Sequence, residues 1–207
     1  MRTAIVLAGG DSTRMKRDKG LLDLAGEPMV CRVADGVSGV VDEVFIVVGS
    51  AEQQGEYSDV LGDRAEVLID VYGDGSPLVG AITGLRRARE EYALITACDM
   101  PFVSPDVVRW LFDEAEGHDG ATFEWPNGWI EPFFSVYRVE PSLRIARELF
   151  EEKNMRLRMI LRRLPDVKHI PIDSLRERDP ELLTLFDVDT EEAIVEAEKK
   201  LKKMDGG

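Results

Sequence analysis

From Val6 to Lys19 the chain reads Val-Leu-Ala-Gly-Gly-Asp-Ser-Thr-Arg-Met-Lys-Arg-Asp-Lys, setting two glycines and spaced cations directly after an apolar run. Residue types in that order suit a polyanion. Gly9 and Gly10 let the backbone turn sharply and bring its amides up to phosphate oxygens, while Arg14 and Lys19 reach the same charge from the side. No Gly-Lys-Ser/Thr follows at Walker spacing and no G-x-G-x-x-G is present, so this is neither of those two phosphate loops. A second chemistry-bearing residue, Asp99, follows the apolar run Ala93 to Ala97 in the order Cys98-Asp99-Met100-Pro101-Phe102. A strand over 93–97 puts Asp99 at its carboxyl end, the edge at which open α/β sheets bind ligands. There it is a natural Mg²⁺ ligand beside a triphosphate or, alternatively, the start of a turn before Pro101.

Three further segments have the right residue types. Asp70 closes the run Val67 to Ile69, and Gly73 to Gly80 then leads into a helix through Ser76-Pro77-Leu78. The glycines and Pro77 make a fixed turn whose amides and carbonyls could read a purine edge, and the plainer alternative is a βα loop rich in helix-starting residues. Asp187 and Asp189 are two apart in Phe186 to Glu192. In a strand they share a face and both can approach Asp99, or Asp189 caps the helix that follows. Arg156 and Arg158 do not share a helix face, and each reads as surface arginine or as a contact to an anionic acceptor. His118 and His169 have no partner spacing and are given no role.

These residues need a scaffold. Apolar runs at 4–7, 44–48, 67–69 and 93–97 alternate with helical patterns at 28–39, 53–61 and 79–91, the rhythm of an α/β fold with a parallel sheet. A helix over 105–115 capped by Ser104, a strand near 121–124, and a turn at Trp125 to Trp129 entering a strand over 133–137 suggest a hairpin where acceptor specificity is built. Helices over 141–152 and 155–164, a strand over 167–170 and a terminal helix over 190–203 opened by Thr190 complete the pattern.

Composition bounds the rest. At 207 residues with 44% apolar content one domain is expected. A net charge of −14 argues against a nucleic-acid partner, so any phosphate site is a local basic pocket in an acidic protein. Cys31 and Cys98 have no metal-type spacing and read as buried thiols. No apolar run reaches the roughly 18 residues of a membrane span, and no targeting pattern precedes the first strand, so a cytoplasmic protein is expected.

The first loop resembles the signature of the MobA-like nucleotidyltransferases, L-A-G-G-x-S-x-R-M-G-x-D-K, at nearly all fixed positions, with Lys16 in place of the usual glycine. Asp99 to Phe102 is similar to that family's Asp-x-Pro-Phe. Gly75 to Gly80 is similar to its G-P-L-x-G with Ser76 inserted, Trp129 to Phe133 to its segment ending in Glu-Pro-Leu, and Phe186 to Glu192 to its N-x-N-T-P-E-E/D with both asparagines replaced by aspartates. The resemblance spans most of the chain and is strongest over 3–30 and 70–102. It implies a Rossmann-like three-layer α/β sandwich of the nucleotide-diphospho-sugar transferase type with a mostly parallel sheet. That would be a single domain over 1–207, with a nucleotide half to about 103 and an acceptor half over about 104–203.

By the same resemblance Arg14, Lys19 and Asp99 are catalytic. Leu7, Ala8, Gly9, Gly10, Lys19, Asp70, Pro77, Leu78 and Asp99 bind the nucleotide. Asp99 holds Mg²⁺, with Asp187 and Asp189 open as further ligands. Guanylyltransferases of the family tend to carry L-A-G-G and cytidylyltransferase relatives L-A-A-G, so Gly9 implies room for a larger base. The implied reaction is transfer of GMP from GTP to the phosphate of molybdopterin with pyrophosphate leaving, in transient contact with molybdoenzymes or other cofactor-synthesis proteins. The alternatives are CTP or another phosphorylated acceptor on the same fold, and a non-catalytic nucleotide-binding adaptor. The joint presence of Arg14, Lys19, Asp70 and Asp99 speaks against the adaptor.

Overall fold

The computed structural model describes residues 2–9, 18–73 and 75–205. Its first half is built from β1 (Arg2–Leu7), α1 (Met29–Ser38), β2 (Glu43–Val48), α2 (Ala51–Leu61), β3 (Glu66–Ile69), α3 (Pro77–Arg87) and β4 (Tyr92–Ala97). Its second half holds α4 (Pro105–Ala115), β5 (Gly120–Glu124), β6 (Ile130–Arg138), α5 (Val139–Glu151), α6 (Arg158–Arg163), β7 (Val167–Pro171), α7 (Ile172–Arg176) and α8 (Glu191–Asp205). The strands form one sheet in the order β3-β2-β1-β4-β6-β5-β7. β6 runs antiparallel to β4 and β5, and every other pairing is parallel.

Strand alternation explains the layers. Ala4 and Val6 of β1 point into a core shared with Val30, Val33 and Val37 of α1 and Val108 and Leu111 of α4. Ile5, between them, points the other way, into a core with Leu78, Ile82 and Leu85 of α3 and Ile145 and Leu149 of α5. A sheet buried on both faces needs such continuous apolar strands, which is why β1 and β4 stand out in the sequence. A third, smaller cluster packs Ala197 and Leu201 of α8 against Leu24, Met29, Phe102 and Val188.

The expected sandwich and its mostly parallel sheet are present, and so is the hairpin, with Trp125 N–H donating to the Trp129 carbonyl at 2.8 Å. The expected helices move at their ends for identifiable reasons. α3 starts at Pro77 because the Ser76 hydroxyl accepts from Val79 N–H, and it ends at Arg87, since Ala88 adopts extended backbone. The helix expected over 155–164 begins only at Arg158, and α7, five residues long, carries too little pattern to be read from sequence. Residues 186–189 form no strand, which removes the shared-face argument for Asp187 and Asp189.

α3 lies unusually close to β1. A Cβ built on Gly84 would stand 2.4 Å from Cγ2 of Ile5, so only glycine lets the helix approach this far. We expect Gly84→Ala to cost about 1–3 kcal/mol by overpacking. Chemical denaturation measures it, and an unchanged midpoint would show that the layer spacing is not set here.

Candidate functional site

β1 leaves the sheet at the carboxyl edge, where Cys98 N–H donates to the Leu7 carbonyl at 3.1 Å and Ala8 N–H to the Val47 carbonyl at 2.8 Å. Gly9 then runs against the start of the β2–α2 connection. A Cβ on Gly9 would stand 3.2 Å from Gly49 N and 3.4 Å from the Val48 carbonyl carbon, so a methyl here presses on neighbouring main chain. Glycine at this position therefore serves the close approach of two main-chain segments. Gly10 and Arg14 lie outside the described residues.

Lys19 Nζ meets Asp99 Oδ2 at 3.2 Å, across eighty residues of sequence. The two side chains face the same cavity of about 210 Å³, which is walled by Leu7 of β1 with Ala8 and Gly9 just after it, by Asp70 in the β3–α3 connection and Pro77 at the start of α3, and by Phe133 from β6. Burial pushes the Asp99 carboxyl above its ordinary range, the Lys19 ammonium pulls it back, and the Asp187 charge raises it again. Asp187 reaches this neighbourhood because Val188 N–H donates to the Asp99 main-chain carbonyl at 2.8 Å. Asp189 does not cap α8. That role belongs to Thr190, whose hydroxyl accepts from Ala193 N–H at 3.1 Å.

Two predicted residues behave differently from a simple ligand contact. Asp70 is buried and lines the cavity, but its carboxylate folds its own loop, accepting from Tyr72 N–H at 2.8 Å and from Gly73 and Gly75 N–H at 3.2 Å each. Leu78 has no exposed surface, and its side chain belongs to the core beneath α3 and not to the cavity wall.

Sequence reasoning passed over Asp18, although it sits beside Lys19 in the same motif. Its Oδ2 accepts from the Gln53 amide at 2.7 Å and its Oδ1 from Gly20 N–H at 3.2 Å and from the hydroxyl of buried Tyr57. Gln53 Oε1 in turn accepts from Gly49 N–H at 2.9 Å, so one network ties the Lys19 segment to the main chain that Gly9 presses on. Burial, then the charges and hydrogen bonds around it, drive the Tyr57 phenol well above its usual range, which keeps it a donor to Asp18. Phe133 closes the Trp129 to Phe133 segment, and its place on the cavity wall follows from the sheet order, which brings β6 beside β4.

On the hairpin side, burial raises the Glu131 carboxyl, with the Trp125 indole N–H pulling it down and Asp187 pushing it up. Despite these nearby carboxylates, no group of three or more His, Cys, Asp or Glu among the described residues is arranged to hold a metal ion. The donor set fits a cation that takes one or two carboxylates from protein and its other ligands from phosphate and water, the usual manner of Mg²⁺.

No activated nucleophile faces this cavity among the described residues. Burial keeps the Cys98 thiol protonated, and the Ser76 hydroxyl is engaged as a helix cap. What the cavity can do is hold a polyanion against a fixed cation and a carboxylate while charge is redistributed, at the sheet edge where mononucleotides bind. Such a fold and site define a nucleotidyltransferase. The family model of the MobA-like NTP transferase domain matches residues 4–167, and the chain belongs to that family. It is 34% identical over 203 residues to a probable molybdenum cofactor guanylyltransferase of Natronomonas pharaonis, covering 97% of this chain and 98% of the relative. A probable molybdenum cofactor guanylyltransferase of Methanosarcina acetivorans is 36% identical, over 93% of this chain and 88% of the relative. The crystal structure of molybdopterin-guanine dinucleotide biosynthesis protein A from Archaeoglobus fulgidus superposes with a TM-score of 0.83 at 25% identity, covering 98% of this chain and all of that one (100%).

Removing the Asp18 carboxylate leaves a buried hydroxyl and an amide without their acceptor. We expect Asp18→Ala to cost about 1–3 kcal/mol of stability, and to lower kcat by releasing Lys19 from its place. Denaturation and steady-state kinetics on the same preparation check both, and a variant with wild-type values in each would remove Asp18 from the site.

Proposed function

We propose that the chain is a molybdenum cofactor guanylyltransferase, transferring GMP from GTP to the phosphate of molybdopterin with release of pyrophosphate. The observation that carries the reading is the Lys19–Asp99 pair facing one cavity at the carboxyl edge of the sheet. Relatives named for this activity align over nearly the whole chain, which supports the same choice of substrates. In this reading residues 1–207 are one domain, with the nucleotide half ending near 103 and the acceptor half over about 104–203. No helix among the described residues is long and apolar enough to cross a membrane. We place the work in the cytoplasm, with transient hand-over of product to molybdoenzymes or other cofactor-synthesis proteins.

The chemistry follows from the wall. An acceptor phosphate is already anionic at neutral pH, so an oxygen of it can attack the α-phosphorus without a strong general base. The new P–O bond forms as the bond to the bridging oxygen breaks, and that oxygen keeps the electron pair as pyrophosphate departs. Lys19 exchanges its carboxylate partner for phosphate oxygens and, with Arg14, offsets charge on the transferred and leaving groups. Asp99 would hold Mg²⁺, which when bound supplies further neutralisation of the triphosphate. Gly9, Pro77 and the Asp70-folded loop position the guanine end, Gly9 also giving the room that favours GTP over CTP.

Pyrophosphate release from each of four nucleoside triphosphates, with Mg²⁺ and molybdopterin, is expected with GTP alone and is abolished by Asp99→Ala. Turnover with CTP and none with GTP would overturn the base assignment, and GTP binding with no release from any triphosphate would favour the adaptor. Lys19→Ala is expected to lower kcat by roughly 100-fold or more. Since burial first of all raises the Asp99 carboxyl, protons compete with the cation at higher pH than for an ordinary aspartate. The Mg²⁺ concentration for half-maximal rate should therefore rise as pH falls toward the raised value. A requirement that does not rise at all as pH falls toward the ordinary aspartate range, about 4, would detach Asp99 from the metal.

A further inference from the structure

Beside the nucleotide cavity lies a second hollow of about 420 Å³, which shares Pro77 and Phe133 with it and continues past Pro132 to Trp129, Arg156 and Arg158. Trp129 is half exposed, whereas Trp110 and Trp125 pack against the core. Its position is fixed from several directions. The Arg158 guanidinium carbon lies 5.2 Å from the indole centroid. Trp129 N–H donates to Asn127 Oδ1 at 2.9 Å, and Arg162 Nη2 donates to the Gly128 carbonyl at 2.6 Å, bolting the hairpin tip to α6.

A large aromatic side chain left in water has little to orient it, and here a guanidinium lies against the ring while the hairpin tip that carries it is tied to α6. Indole and guanidinium both stack on flat rings, and the neighbouring arginines attract anionic substituents. A ligand that fills this hollow and reaches past Phe133 into the nucleotide cavity needs a flat ring at one end and a phosphate at the other. Resting on the acceptor reading above, we propose that Trp129 and Arg158 form the stacking platform for the pterin ring of the acceptor, which makes Trp129 a residue that determines acceptor specificity. The ring is held on the hairpin side while its phosphate points across Phe133 toward the α-phosphorus, so that the acceptor is recognised at the end remote from the reacting atoms.

The test measures initial rates for wild type, Trp129→Ala, Trp129→Phe and Arg158→Lys with GTP and molybdopterin, together with quenching of tryptophan fluorescence by free pterin. Trp129→Ala should raise KM for molybdopterin about 5- to 100-fold, the span seen when one stacked aromatic is removed, with KM for GTP held. Trp129→Phe should recover most of the loss, and Arg158→Lys, which keeps charge but not the plane, should fall between. Pterin should quench wild type and not Trp129→Phe. Wild-type turnover of molybdopterin with an unchanged KM in Trp129→Ala would overturn the platform and leave the guanylyl transfer standing. No turnover of molybdopterin by wild type, with pterin quenching that depends on Trp129, would overturn the acceptor reading and leave a pterin-stacking site. Quenching by GTP and not by pterin would give the platform to the donor base and overturn the proposal.

Discussion

Asp99 holds a carboxylate where much of its water has been replaced by protein, and a charge in that position must be answered. Lys19 answers it at 3.2 Å, and the surrounding structure is organised around keeping the two together. β4 delivers Asp99 to the sheet edge, the Asp18 network holds the Lys19 segment from below, and the stretch before α8 hangs on the Asp99 carbonyl through Val188. Segments from the beginning, middle and end of the chain thus meet at one ion pair. A pair of this kind contributes little net stability by itself, since desolvation offsets the attraction. In the function proposed above its value lies in being exchangeable, because either partner can give up the other for a phosphate or a cation without leaving a buried charge alone.

The reversed strand β6 separates two kinds of surface. On the β1–β4 side every strand ends at the same edge, so loops gather there and carry glycine, carboxylate and ammonium groups. On the other side β6 runs back through that edge, putting side chains of a strand where loops would otherwise lie, and Phe133 becomes a partition between the Lys19–Asp99 cavity and the hollow at Trp129. The overall acidity of the chain has no direct part in this geometry. It makes the few cations turned inward conspicuous.

Much of this was legible in the residues. Apolar runs with β-branched side chains marked the strands, Ser104 and Thr190 cap the helices they precede, and Lys19 and Asp99, each read as part of a phosphate site, lie 3.2 Å apart. What stayed hidden was nonlocal. Asp70 was read as a nucleotide contact, and nothing in sequence shows that its own loop curls back to donate three amides to its carboxylate. Asp187 and Asp189 would share a face in a strand, yet the segment has no ladder: Val188 N–H donates to the Asp99 carbonyl, and the Val188 side chain is buried in the small cluster under α8. Asp18 was hidden beside a more obvious neighbour, since its partners lie thirty-five and thirty-nine residues away.

The connectivity of the sheet also orders events in time. β3, β2, β1 and β4 are mutually adjacent, and all four are encoded by residue 97. The remaining strands attach only through β6, which needs β4 already in place as its neighbour. A chain leaving the ribosome therefore possesses every strand of the first four-stranded unit before the hairpin of β5 and β6 has been synthesised. Until that hairpin arrives, β4 is an edge with unpaired main-chain groups, one of the most apolar strands in the protein exposed along its whole length. The mature fold closes that edge with β6 and leaves β3 and β7 at the margins of the sheet.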